Sequence, residues 1–365
     1  MILVSGYYGY HNSGDEAVLA ALCADLAALG IERHKITVFS GAPNQTEQMH
    51  HVHAVSRYNP KAIIRALRRG KLLISGGGSL LQDSTGQFTV PYYLGIIELA
   101  LAFGLKVIVY SQGIGPVRNP VYQRWIGKTF QRVDGISLRD QYSVELLQNW
   151  GVNPEKMTLA ADNVFNLSAV NELSNNQEKT NAISLNLRPY NRWKEDYSVW
   201  VDLIRTWIID HHWSVYFVAL GPGDEDLAIE LTREIPQLLL VKPKNWHEAY
   251  SFLRETEFCV SMRLHGIIFS AIGGTLPIGL NYDPKISAVC KQLGIKSRSV
   301  SPSGELTDDL QDMRENKSIY CKRLESKVEN LYRLSLNNRR LIEAQLSYLA
   351  VEANNEKGEN SGSKS

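Results

Sequence analysis

The chain has 365 residues, 44% of them hydrophobic and 21% charged, and its 39 Lys and Arg against 38 Asp and Glu leave a net charge of +1. The length suits two ordinary domains plus a further segment, and the composition excludes a disordered, fibrous or collagen-like chain. So even a charge balance raises no surface-wide field; no nucleic-acid partner is needed, and any anionic ligand must be held by a few local Lys or Arg residues.

The chain opens on an apolar strand at residues 2–5 with no basic leader segment, so no signal peptide is expected. No apolar run approaches the roughly 20 residues that span a bilayer. The expected location is the cytoplasm, with membrane contact limited to the periphery of the inner face. Cys23, Cys259, Cys290 and Cys321 lie far apart without a CxxC pair, which reads as four reduced thiols rather than a zinc site or disulfide framework.

Short apolar runs then alternate with amphipathic stretches. Helix 15–29, strand 36–40, strand 72–75, helix 92–103, strand 106–111, helix 122–131, strand 135–138, helix 141–150 and strand 157–160 follow in order. This alternation predicts a parallel sheet covered on both faces. Residues 171–180 turn polar and read as a linker. A second series follows, with strands 182–186, 214–219, 238–241, 258–261 and 276–280, and helices 202–211, 225–234, 247–254, 267–272 and 286–293. The expected organisation is an α/β domain over 1–170, a second over 181–315, a helical segment over 316–350 and a disordered tail over 351–365.

In such folds ligands bind beyond the carboxyl ends of the strands, so the turns there carry the functional information. After the first strand, Gly6, Gly9 and Gly14 permit close backbone approach, and Ser13 or Asp15 can cap the next helix. The loop suits either ligand contact or a tight turn. Gly76, Gly77, Gly78 and Ser79 form a second glycine-rich turn whose backbone N–H groups suit either an oxyanion or a purely structural role. Arg139 ends a strand, where it either pairs with Asp140 or another acid, or contacts an anion.

The densest signal is Ser261-Met262-Arg263-Leu264-His265-Gly266. Arg263 and His265, two apart at an extended strand end, are expected to point to one side, beside a helix N-terminus that favours anions. One strand later Asn281-Tyr282-Asp283-Pro284-Lys285 places a lysine at a helix start, a position that either is solvated or serves a bound anion. Arg188 in Leu187-Arg188-Pro189 adds another strand-end cation. His50, His51 and His53 lack partners at metal-ligand spacing, and His211 and His212 read as a helix end.

Seven stretches in order over about the first 295 residues resemble the polysaccharide pyruvyl transferase family, most closely its CsaB-like branch. They are Ser5-Gly6-Tyr7-Tyr8-Gly9 with Gly14-Asp15-Glu16, Gly76 to Asp83, Gln112-Gly113-Ile114-Gly115-Pro116, Ser137-Leu138-Arg139-Asp140, Leu187-Arg188-Pro189, Ser261 to Gly266, and Tyr282-Asp283-Pro284-Lys285. The family often has Trp where this chain has Tyr190. The resemblance implies a GT-B-like fold of two Rossmann-like domains facing a cleft, with a long C-terminal helix added here. It also implies phosphoenolpyruvate as donor and no metal or nicotinamide cofactor.

It places the family's donor-binding residues on Arg139, His265 and Lys285 with Arg263 beside them. Arg188, Gly77, Gly78, Ser79, Gly9 and Asp15 then join the substrate site. The implied reaction moves a pyruvyl group onto two hydroxyls of a cell-envelope sugar, carried by a lipid-linked precursor such as a disaccharide, and forms a cyclic ketal. The competing expectations are a nucleotide-sugar glycosyltransferase of the same architecture and a non-catalytic protein that binds an anionic saccharide.

Overall fold

The computed structural model describes residues 1–83, 86, 88–167 and 179–362, with side chains described to residue 349. The chain divides into two compact units: Met1–Gly9 with Val18–Asn163 and Arg333–Ser365, and Tyr10–Ala17 with Val164–Tyr332.

The first unit is built on the strands β1 (Ile2–Tyr8), β2 (Ile36–Ser40), β3 (His53–Ser56), β4 (Leu72–Ser75), β5 (Gly78–Leu81), β6 (Lys106–Ile114), β7 (Gly135–Leu138) and β8 (Met157–Leu159). Their order is β3-β2-β1-β4-β6-β7-β8, with β5 beside the end of β6, and every pairing is parallel. The helices are α1 (Ser13–Ala28), α2 (Pro43–His50), α3 (Pro60–Arg69), α4 (Thr89–Ala102), α5 (Pro120–Phe130) and α6 (Gln141–Asn149). Strand alternation splits the core in two. Leu3, Leu73, Val107 and Val109 enter one apolar cluster, while Ile2, Val4, Leu72, Ile74 and Ile108 enter the other. Coverage on both faces is why these strands read as unbroken apolar runs.

The second unit holds β9 (Thr180–Asn186), β10 (Ser214–Val218), β11 (Leu239–Val241), β12 (Thr256–Ser261), β13 (Leu276–Asn281) and β14 (Ser297–Ser299), ordered β11-β10-β9-β12-β13-β14 and again parallel. Its helices are α7 (Trp193–Ile209), α8 (Asp224–Glu234), α9 (Trp246–Leu253), α10 (Leu264–Ile272), α11 (Pro284–Leu293) and α12 (Glu305–Glu315). α7 begins nine residues before the expected 202 because its buried stripe of Trp193, Asp196, Trp200, Leu203, Ile204 and Trp207 already repeats at helical spacing from Trp193.

The long final helix α13 (Lys317–Gly362) continues past residue 350, where a disordered tail was expected; no proline interrupts it. Residues 363–365 lie outside the described residues. So does the expected linker, apart from Lys179 and Thr180. Lys179 Nζ donates to the carbonyls of Arg254 and Gly273 and to Thr275 Oγ1, so this end of the segment is fastened to the second unit.

Each sheet has one point where the strand order reverses, between β1 and β4 in the first and between β9 and β12 in the second. The crevice beyond the carboxyl ends of the strands at such a point is where open α/β sheets bind ligands. Those turns carry the glycine-rich loops in the first unit and Arg188, Arg263 and His265 in the second.

Candidate functional site

In the second unit the turns after three neighbouring strands, β9, β12 and β13, present Arg188, Arg263 with His265, and Lys285 at one edge of the sheet. The central turn is set by buried polar groups. Asn186 ends β9 fully buried; its Nδ2 donates to Val218 O at 2.8 Å and Asp224 Oδ2 at 3.1 Å, and its Oδ1 accepts from Ser261 Oγ at 3.0 Å. Ser261 Oγ in turn accepts from Arg263 N at 3.0 Å. These bonds fix where β12 stops.

Arg263 has extended backbone and is the residue that precedes α10, while His265 already lies in the first helical turn. The extended strand end expected to carry both residues therefore stops at Arg263, because the helix begins at Leu264. Arg263 instead turns to Asp224, with Nε at 3.1 Å from Oδ2 and Nη2 at 2.5 Å from Oδ1, and Nη2 also donates to Pro222 O at 3.0 Å. Asp224 is fully buried and accepts in addition from Leu220 N and Gly221 N. A buried carboxylate held by so many donors is compensated, and it locks the guanidinium in one orientation.

His265 packs against the start of α1. A Cβ on Gly14 would stand 2.1 Å from His265 Nδ1, so any side chain there would push the imidazole aside, and Ser13 N donates to Leu220 O at 3.0 Å. The segment Tyr10–Ala17 thus completes the second unit's site although it follows the first unit's β1. The helix is capped by Asn12, whose Oδ1 accepts from Gly14 N at 3.1 Å; the expected caps, Ser13 and Asp15, occupy the first turn instead.

Tyr282 gathers the flanking cations. Arg188 Nη1 donates to its hydroxyl at 2.9 Å with the guanidinium 4.8 Å from the ring centre, and Lys285 Nζ lies 5.6 Å from the same centre. Lys285 is also paired with Asp283 at 3.3 Å, and Asp283 caps α11 through Lys285 N. Two cations beside one half-buried phenol, with a locked arginine and an imidazole just after the intervening strand, make a surface suited to a ligand bearing more than one negative group.

In the first unit Arg139 is buried, with Nη1 2.8 Å from Asp162 Oδ2 and Nη2 2.8 Å from Ser79 Oγ. Of its alternatives, the ion pair is present, but to Asp162; Asp140 caps α6 by accepting from Ser143 N. A Cβ on Gly113 would meet Arg139 Nε at 2.7 Å, which explains the glycine in that stretch. Of the glycine-rich turn, the Gly76 amide serves structure by donating to Ser5 O at 2.7 Å, and Gly78 and Ser79 belong to β5. Gly77 packs against Val18 and Ser111, and Gly9 against the Ser40 hydroxyl and the backbone of Gly41 and Ala42. Behind them Tyr110 donates to Asp25 at 2.5 Å; burial foremost, then the Asp25 charge, holds this phenol well above its ordinary range.

Asp224, Asn186, Asp162 and Tyr282 are thus the residues that place the expected cations; from sequence Asp224 reads as a helix cap or an acid for a sugar hydroxyl and Tyr282 as part of the Tyr282-Asp283-Pro284-Lys285 stretch, with no pairing to a cation expected for either. Asp224 reads equally as a helix-start acid, and only the fold brings it to Arg263. His50 ends α2 and His53 opens β3, and no group of three or more His, Cys, Asp or Glu among the described residues could hold a metal ion.

A model of the polysaccharide pyruvyl transferase family matches residues 12–284. The amylovoran biosynthesis protein AmsJ of Erwinia amylovora is 24% identical over 281 residues, covering 69% of this chain and 65% of AmsJ, just under two thirds of its length. Among solved structures, a UDP-N-acetylglucosamine 2-epimerase homologue of Listeria monocytogenes superposes with a TM-score of 0.69 over 96% of both chains at 12% identity. The Neisseria meningitidis UDP-GlcNAc 2-epimerase bound to UDP-GlcNAc gives 0.65 over 95% of this chain and all of its own, at 13%. The Anabaena HepE protein in complex with UDP gives 0.61 over 95% and 99%, at 12%. At such identities the structural likenesses show the fold, which is GT-B-like. The family match over most of the chain shows that this protein belongs to the polysaccharide pyruvyl transferase family.

Proposed function

We propose that the chain, as a member of the CsaB-like branch, transfers the pyruvyl group of phosphoenolpyruvate onto two hydroxyls of a sugar in a cell-envelope polysaccharide precursor. The observation that carries this reading is the convergence of Arg188, Arg263, His265 and Lys285 on three neighbouring turns of the second sheet. Phosphoenolpyruvate carries a carboxylate and a phosphate on one carbon, C2, and a chain of net charge +1 holds it only with such local cations.

In this reading protonated His265 donates to the methylene carbon, giving a cationic C2. A sugar hydroxyl adds to C2 and loses its proton. The C2–O bond to phosphate then breaks with its electrons leaving on the phosphate, and a second hydroxyl of the same sugar closes the ketal and gives up its proton. Arg263, Lys285 and Arg188 stabilise the carboxylate and the departing phosphate. Arg139 with Ser79 is assigned to substrate binding at the first sheet, along with the loop of Gly9 and Asp15. No cofactor enters these steps. The protein would act in the cytoplasm on a lipid-linked acceptor.

The test is product analysis with phosphoenolpyruvate and saccharide acceptors. A ketal-bearing sugar and inorganic phosphate in equal amounts support the proposal. The UDP named with some fold neighbours raises the glycosyltransferase alternative, and UDP release from a nucleotide sugar in place of phosphate release would establish it. Binding of both ligands without turnover would favour the non-catalytic alternative.

A further inference from the structure

One face of the first unit carries charge and apolar surface that the transferase reading does not use. Residues 48–82 contain Arg57, Lys61, Arg65, Arg68, Arg69 and Lys71 but no Asp or Glu. All of these except the half-buried Arg57 are exposed. Helical spacing sets Lys61, Arg65 and Arg68 along one side of α3, opposite the buried Ile63, Ala66 and Leu67.

Beside this row runs an apolar one. Phe88, just before α4, and Tyr92, Leu99 and Phe103 along it and just after it recur at spacings of four, seven and four, which is one helix face. Phe88 is 82% exposed, Leu99 41% and Phe103 40%. Two contacts fix the rows side by side: Arg57, ahead of α3, lies 4.1 Å from the Tyr92 ring centre, and Arg68, in its last turn, lies 5.9 Å from that of Phe103. The acid within α4, Glu98, is taken by Thr129 and Arg132 at 2.6 and 2.7 Å.

The bland account is a solvated helix whose Arg68 and Arg69 complement its own C-terminal dipole. It explains neither Lys61 in the first turn, where the dipole disfavours a cation, nor three large apolar side chains left exposed on the adjoining helix and at its two ends. A cation row flanking an aromatic and aliphatic row is instead the chemistry of a headgroup region, with phosphates above and acyl chains below.

We infer that the α3–α4 face docks the protein onto the surface of an anionic phospholipid bilayer. No helix among the described residues is long and apolar enough to cross a membrane, so the contact is peripheral. This inference is separate from the donor chemistry, and either can fail alone.

The test is co-sedimentation of the full chain with vesicles of phosphatidylcholine containing phosphatidylglycerol, against phosphatidylcholine alone. Binding is expected to the anionic vesicles only and to weaken as salt rises. Each exposed cation near the surface is worth about a fivefold change in partitioning, so Lys61→Gln, Arg65→Gln and Arg68→Gln combined lower it roughly a hundredfold. Leu99→Ser with Phe103→Ser lowers it without changing charge. Circular dichroism shows that the variants keep their fold. Equal binding to both vesicle types, no binding to either, or full binding by both folded variants overturns the inference. So does light scattering that finds a dimer which the Leu99→Ser, Phe103→Ser variant dissolves.

Discussion

The arginine and the histidine of Arg263-Leu264-His265 are held in different ways, and each makes a separate prediction. Asp224 fixes Arg263 in a buried, multiply bonded ion pair. Removing one partner of such a pair costs about 3–5 kcal/mol, so Asp224→Asn and Arg263→Met each destabilise strongly in denaturant unfolding. The double variant is expected to lose at least about 1 kcal/mol less than the sum; additive losses would show that the pair is not coupled. His265 is placed by the absence of a side chain at Gly14. Gly14→Ala is expected to keep the circular dichroism spectrum and to cut turnover of phosphoenolpyruvate by ~100-fold, the scale of an ångström-sized misplacement of a catalytic group. Unchanged turnover would remove His265 from the chemistry.

At the scale of elements, the carboxyl side of the second sheet is tied to α12 by charge. Lys296 Nζ reaches Asp309 and Asp312 at 2.8 and 2.6 Å, and Arg298 of β14 reaches Asp309 at 2.6 Å. Burial pushes the Asp309 carboxyl up, but the hydrogen bonds from Arg298 and Lys296 outweigh it and hold it below the usual carboxylate range. A carboxyl depressed by folding adds stability that is present above its unfolded value and is lost as pH falls through the folded one. Stability is therefore expected to drop from about pH 4 downward. Asp309→Asn lowers stability at neutral pH and flattens this acid limb; thermal unfolding at pH 7 and pH 3 would read both, and an equally steep limb would contradict the assignment.

What the sequence showed of these elements follows their physics. Strands 36–40, 72–75 and 135–138 are matched residue for residue because burial on both faces leaves a continuous apolar run. The strand β3 stayed hidden because His53–Ser56 is a short, half-exposed edge, and α2 because Pro43–His50 has almost no apolar face. The cations of the site were visible as strand-end residues. Their partners were not, since Asp224 lies 39 residues from Arg263 and Asp162 23 residues from Arg139, and pairing across such distances is a property of strand order. Arg263 and His265 read from sequence as one extended strand end, whereas the helix begins at Leu264 and replaces the twofold alternation by a helical turn.

For the whole molecule, two parallel α/β units, the GT-B-like likenesses and the family match from Asn12 to Pro284 agree on architecture and family. The fold by itself serves several chemistries, so the reaction is argued from the cationic turns of the second unit. The most direct measurement is phosphate release from phosphoenolpyruvate with lipid-linked disaccharide acceptors, comparing the native chain with His265→Ala. The account predicts release that requires the acceptor and falls at least about a hundredfold in the variant. Full turnover by His265→Ala, or no release with any acceptor alongside turnover of a nucleotide sugar, would contradict it.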